Sequence, residues 1–401
     1  MMAPQGNDST NTTLKVDNPS VWAEIDLQAI AHNMRELRRL TRPQARLMAA
    51  VKGNGYGHGA VKIAQTAIAN GADALGVARI EEGLELRQAG LDAPILIFGY
   101  TPPSLTTRLI DHALTQTVYT LDTARALSAA AQGLGQTVKV HLKVDTGMGR
   151  LGLLPDSGRS SSSDITASGQ AIEEVLQIHQ LPGLKLEGVF THFASADSAD
   201  KTFAHRQLSR FTRFIAELEK AGVDGVILHA ANSAAIIDLP ESHLDMVRPG
   251  IALYGLHPSD EIGQDKIDLI PAMTLKARII HLKPVAAGFK VSYGSTYTTP
   301  APTTIATVPV GYADGYSRLL SNRGQMLVHG RRAPIVGRVC MDLTMLDVGH
   351  IADVRLEDEV VVFGRQGKTA LSADQVAALI DTINYEIVAA LTARVPRIYK
   401  G

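Results

Sequence analysis

Cysteine occurs once in the 401 residues, at Cys340, so an internal disulfide framework is excluded and a reducing compartment suits the chain. No apolar run is long enough to span a bilayer, and "MMAPQGNDSTNTTLKVDNPS" lacks the basic start and apolar centre of a secretory signal. Charge of one sign is also missing as a block. The 39 basic and 40 acidic side chains leave a formal charge of -1, which offers no footprint for nucleic acid or a membrane surface. Metal-ligand spacing is lacking too: "GHG" and the scattered histidines match no zinc pattern. What remains is a cytoplasmic protein acting on a small molecule.

From residue 21 to about 260 short apolar runs alternate with stretches of helical period. "ARLMAAVK", "ALGVAR", "PILIFG", "QTVYT", "VKVHLKVDTG", "LEGVFTHF" and "GVILHAAN" read as strands, while "AVKIAQTAIANG" and "RIEEGLELRQAG" read as helices ending at glycine. Repeated strand and helix, with strands apolar on both faces, predicts a closed (β/α)8 barrel. From about 261 to 401 the runs become rich in Val, Ile and Thr with Gly or Pro between them, which predicts an antiparallel β domain. A helical stretch, "SADQVAALIDTINYEIVAAL", follows near the end. Residues 1–20 read as a flexible tail, and the Ser-rich stretch from Asp156 to Gln170 reads as a surface insertion.

Reactive groups of such a barrel project from the C-terminal ends of its strands. Those ends carry Lys52, Arg150, His192, Asn232 with Ser233, and Arg248. A lysine entering a barrel mouth is partly desolvated, which lowers its pKa and frees a neutral amine for an aldehyde; the alternative is an ammonium that reaches solvent. The glycines of "GNGYGHG" form no phosphate loop, because the stretch lacks the GK[ST] ending. "ANSAAI" and "RPGIALYG" offer small residues that admit an anion to backbone N–H groups. Arg150 suits a carboxylate clamp, and a buried Arg248 demands a partner such as His192 or a ring nitrogen. In the second domain Tyr293 stands beside glycine, and Met341 follows Cys340 in "GRVCMD".

"AVKGNGYGHG", "LKVDTGMGRLG", "THFASAD", "HAANSAAI", "VRPGIALYG", "VSYGSTY", "VGYADGYSR", "GRVCMDL" and "INYEI" occur in one order. Together they resemble the alanine racemase family from about Val21 to Tyr399. The resemblance implies pyridoxal 5'-phosphate joined to Lys52, with Tyr56, Ser233, Gly250, Ile251 and Tyr385 at its phosphate and Arg248 at its ring nitrogen. Asn232 is a further cofactor-binding candidate. It implies Lys52 as the base for D-alanine and Tyr293 as the base for L-alanine. By the same resemblance Arg150 and His192 are expected to support that tyrosine, Arg150 and Met341 to contact substrate, and Lys143 to be a candidate for carbamylation. A homodimer is implied in which Tyr293 and Met341 complete the partner's site.

Two departures stand out. Gly53 and Gly55 occupy places where the family often has alanine, which predicts a looser segment after Lys52, and Leu343 follows "CMD" where glutamine is common. Leu343 leaves open a broader racemase that accepts serine. A non-catalytic carrier of the same cofactor is the third alternative, opposed by the presence of Tyr293 and "GRVCMDL".

Overall fold

The computed structural model describes residues 18–156 and 169–401, so most of the expected tail and of the Ser-rich insertion lies outside the described residues. Strand β1 (Val21–Asp26) runs into α1 (Leu27–Leu40), where the Asp26 carboxylate accepts from the Gln28 and Ala29 N–H groups and closes the first turn. The buried Ala29, Ile30, Met34 and Leu37 form the inner stripe of that helix.

The alternation that follows is β2 (Arg46–Ala50), the short turn α2 (Lys52–Tyr56), α3 (Ala60–Ala69), β3 (Ala74–Val77), α4 (Ile80–Gln88), β4 (Ile95–Ile97), α5 (Thr106–Asp111) and β5 (Leu114–Val118). It continues through α6 (Leu121–Gly133), β6 (Val138–Lys143), α7 (Gly169–Gln180), β7 (Leu184–Phe190), α8 (Thr202–Lys220), β8 (Ile227–His229), α9 (Ser233–Asp238) and β9 (Met246–Val247). Strands β2 to β9 form the expected closed parallel barrel, with β9 returning to β2 through Arg46 opposite Met246 and Leu47 opposite Val247. Every residue of β3, β4 and β5 is buried, and β3 and β4 accordingly read as unbroken apolar runs, while β5 buries Thr115, Gln116 and Thr117. Met48, Ala74, Leu96 and Met246 fill the interior from four strands, with Phe98 and Ile227 packed on them.

The chain separates into two compact units that interleave in sequence. One holds Glu24–Thr274, Ser372–Thr392 and Arg397–Gly401; the other holds 18–23, Leu275–Leu371 and Ala393–Pro396. The second unit takes up β10 (Met273–Arg278) from Leu275 onward, and β11 (His281–Val285), β12 (Lys290–Val291), β13 (Tyr297–Thr298) and β14 (Thr303–Val308) come next. They are followed by β15 (Gln325–Val328), β16 (Arg331–Pro334), β17 (Thr344–Asp347), β18 (Glu359–Gln366) and β19 (Thr369–Leu371). Pairing is antiparallel in the runs β16-β15-β18-β10 and β11-β14-β17. The late helical stretch is not one helix. It divides into α10 (Ala373–Ala378), capped by the Ser372 hydroxyl on the Gln375 N–H, and α11 (Asn384–Ala389), because Asp381 between them takes a φ of 55°. No helix among the described residues is long and apolar enough to cross a membrane.

Candidate active site

Strand β2 delivers Lys52 to the C-terminal end of the barrel, and the backbone then turns the wrong way for L-residues. Gly53, Asn54, Gly55, Tyr56 and Gly57 have φ values of 61°, 52°, 60°, 49° and 82°. A left-handed conformation costs a residue with a Cβ about 1–2 kcal/mol, a penalty glycine escapes. The expectation that Gly53 and Gly55 loosen this segment is therefore corrected: they sit where alanine would be strained. The turn is closed by Gly55 N–H to Val51 O (2.8 Å), Gly57 N–H to Gly53 O (2.9 Å) and Gly59 N–H to Asn54 O (2.8 Å). It brings Lys52 and Tyr56 to one side, with the lysine Nζ 6.0 Å from the tyrosine ring centre.

A cavity of about 300 Å³ opens beside that turn, within the size range of small-ligand sites. All the barrel-side candidates line it: Lys52, Tyr56, Lys143, Arg150, His192, Asn232, Ser233, Arg248, Gly250 and Ile251, together with Tyr385 from α11. Ala50, Phe98 and Phe190, which no sequence motif singled out, complete the wall.

Four cationic side chains, from Lys52, Lys143, Arg150 and Arg248, converge there. Burial, reinforced by Arg150, lowers the pKa of Lys52. The same two causes bring Lys143 down to about 8. Arg248 is almost fully buried, and burial lowers it to about 9, so it keeps its charge at neutral pH. It donates to Thr191 O (2.7 Å), Ala230 O (3.0 Å) and His229 Nδ1 (2.9 Å), and its Nη2 lies 3.3 Å from His192 Nδ1. A guanidinium only donates, so both histidines present an unprotonated Nδ1 to it. Burial, then Arg248, holds both rings far below the ordinary histidine range. His229 was missed by sequence reasoning, although "LHAAN" places it at a strand end; it stacks on Phe190 at 4.7 Å.

Two loops are propped from α8. The fully buried Gln207 accepts from Ala194 N–H (2.9 Å) and donates to His192 O (3.1 Å). One turn on, Arg210 donates to Asp156 (2.6 Å) and to Thr146 O (3.1 Å), tying both ends of the loop that carries Arg150. Within that loop the Asp145 carboxylate accepts from the Gly147 and Gly149 N–H groups.

The floor of the cavity has the composition of an anion cradle, small residues around backbone N–H groups. The Ser233 hydroxyl accepts from Gly250 N–H (2.8 Å) and Ala252 N–H (3.3 Å), and Asn232 Oδ1 accepts from Ala235 N–H (3.0 Å). Burial pushes the Tyr56 hydroxyl up to about 12, so it remains a neutral donor. A Cβ at Gly250 would lie 2.6 Å from the Tyr56 Oη, so the close approach there requires glycine. Gly250→Ala is expected to weaken anion and cofactor binding by about 10- to 100-fold through overpacking. Phosphate or cofactor titration by calorimetry checks this, and unchanged affinity would remove the cradle from the site.

Tyr293 and Met341 are not among the lining residues. They belong to the second unit, where they are 72% and 53% exposed. Tyr293 borders a separate cavity of about 650 Å³ with Cys340 and Leu343. No cluster of three or more His, Cys, Asp or Glu side chains among the described residues is placed to hold a metal.

Residues 25–258 match the model of the alanine racemase N-terminal domain, and residues 272–399 match that of the C-terminal domain. The chain belongs to the alanine racemase family. It is 57% identical over 383 residues to an alanine racemase of Desulfosudis oleivorans, covering 95% of this chain and 96% of that protein. Its fold superimposes on the solved alanine racemase of Clostridium difficile 630 with a TM-score of 0.89 and 39% identity, covering 96% and 97% of the two chains. For the alanine racemase of Bartonella henselae, solved with covalently bound pyridoxal phosphate, the TM-score is 0.82 at 28% identity, with 95% and 100% covered. Within the family assignment, the candidates from Lys52 to Ile251 lie in the N-terminal match, while Tyr293, Met341 and Tyr385 lie in the C-terminal one.

Proposed function

We propose that the protein interconverts L- and D-alanine with pyridoxal 5'-phosphate, supplying D-alanine for peptidoglycan. The observation that carries this reading is that a desolvated lysine amine shares one cavity with Ser233, Gly250 and three further cationic side chains. These residues fit the cofactor. Tyr56, Ser233, Gly250, Ile251 and Tyr385, with Asn232, would hold its phosphate, Lys52 would hold its aldehyde carbon, and Arg248 would face its ring nitrogen. When bound, it supplies a conjugated ring that draws electron density from the substrate Cα.

The protein's own groups do the rest. Arg248 would donate a hydrogen bond to the ring nitrogen without giving up its proton, which would leave that nitrogen unprotonated. Arg150 orients the substrate carboxylate, held in place by the Asp145 and Arg210 contacts of its loop. The lowered pKa of Lys52 makes it a base able to take the Cα proton from D-alanine. Tyr293 serves the opposite face for L-alanine. A neutral amine fraction at Lys143 of roughly one tenth at pH 7 supports its reaction with carbon dioxide to a carbamate beside Arg150.

The exposure of Tyr293 and Met341 supports a homodimer in which they complete the partner's cavity. Mixing is the direct test. Lys52→Ala and Tyr293→Phe chains, each inactive alone, are expected to regain about a quarter of wild-type activity when refolded together, since one of the two heterodimer sites keeps both bases. A mixture that stays inactive would place both bases in one chain.

A further inference from the structure

We propose, taking Lys52 as the cofactor anchor and base of the preceding section, that Glu82 is its positioning residue: the Glu82 carboxylate holds the left-handed turn that aims the lysine. Glu82 lies in the first turn of α4, and its Oε2 accepts from the Ala78 and Arg79 N–H groups (2.6 and 3.1 Å). That much is an ordinary helix cap. Its other oxygen, Oε1, reaches out of the helix to the N–H of Gly53, 2.6 Å away. One carboxylate thus ties the junction after β2 to the junction after β3, at the residue next to Lys52.

The turn needs such a tie. Asn54 and Tyr56 carry side chains at φ values of 52° and 49°, a strained conformation that persists only where surrounding contacts over-determine it. The Gly53 N–H precedes the turn's own hydrogen-bonded ring, which begins with Gly55 N–H to Val51 O, so its acceptor must come from outside. An ionised acceptor makes a bond about twice as strong as a neutral one. Glu82 has a second lever on the same amine. Arg150 and Arg248 oppose the charged form of Lys52, Lys143 and His192 interact with it, and the Tyr56 ring lies 6.0 Å from its Nζ; Glu82 is the anion that favours its protonation.

The test uses the full-length holoprotein and the variants Glu82→Gln and Glu82→Asp. Glutamine keeps the size, loses the charge and turns an amide N–H2 toward one set of backbone donors. It is expected to release cofactor to hydroxylamine about 10-fold faster and to speed exchange of the Gly53 amide about 10-fold. The acid limb of kcat for D-alanine is expected to move down by about half a pH unit, because the anion that stabilised the ammonium is gone. Aspartate keeps the charge but is one methylene too short to span both junctions. It is expected to speed cofactor release while leaving the acid limb nearer its wild-type position, and it serves alone if the glutamine variant does not fold. A lower Tm with unchanged cofactor release and pH profile would reduce Glu82 to a structural cap and overturn the proposal. A wild-type protein without lysine-linked cofactor absorbance would sink the parent assignment and this one together, whereas normal absorbance with wild-type-like variants sinks this one alone.

Discussion

Tyr293→Phe is expected to lower kcat/KM for racemisation by about 10²–10⁴-fold, the usual worth of a positioned general acid or base. The loss must be equal in both directions. L- and D-alanine are mirror images with equal free energies, so the ratio of the two kcat/KM values stays at unity in any variant. A direction-specific base therefore cannot be recognised from racemisation rates alone. Solvent exchange separates the two bases. If Lys52 is the base for D-alanine, as proposed, then in deuterated water it still removes that Cα proton, its ammonium exchanges with solvent, and deuterium returns to the same face. Proton NMR of D-alanine is expected to show exchange continuing within an order of magnitude of wild type, while L-alanine stays protonated. Loss of exchange from both enantiomers would mean that one residue serves both faces.

Arg248→Ala is expected to cost about 3–5 kcal/mol of stability, as removal of one partner from a buried charged network does. Thr191 O, Ala230 O and the Nδ1 of His229 would lose their donor in a dry place. For a unit of this size the loss corresponds to a Tm lower by roughly 10 °C. Calorimetry of the cofactor-free chain checks it without reference to activity. A change below about 1 kcal/mol would mean that water replaces the guanidinium and that the network is not closed.

The barrel was legible because its strands and helices differ in period, and because parallel strands buried on both faces leave unbroken apolar runs such as Ile95–Ile97. The barrel-side candidates were legible because each follows such a run, and strand ends face one cavity. What the turn after Lys52 does was not. Glycine richness announces conformational freedom without its sign, and only the φ values show that Gly53 and Gly55 fit a left-handed path. Glu82 and Gln207 were invisible for another reason. Their partners are backbone atoms of distant residues, Gly53 in one case and His192 with Ala194 in the other, and no local pattern records such pairs. The break between α10 and α11 was hidden as well, since Asp381 interrupts a stretch whose composition suits a helix.

The Lys52 turn is also braced from the far end of the chain. Arg397 donates to Gly57 O at 2.8 Å, the backbone of Val388 packs against Gly57 so closely that a Cβ there would lie 2.0 Å from its carbonyl oxygen, and Tyr385 forms one wall of the cavity. Synthesis on the ribosome is directional. Lys52 emerges more than three hundred residues before these braces, so a nascent barrel can acquire its strands long before it can hold its cofactor. The turn that presents Lys52 is therefore completed only after the segment holding Tyr385, Val388 and Arg397 has been made.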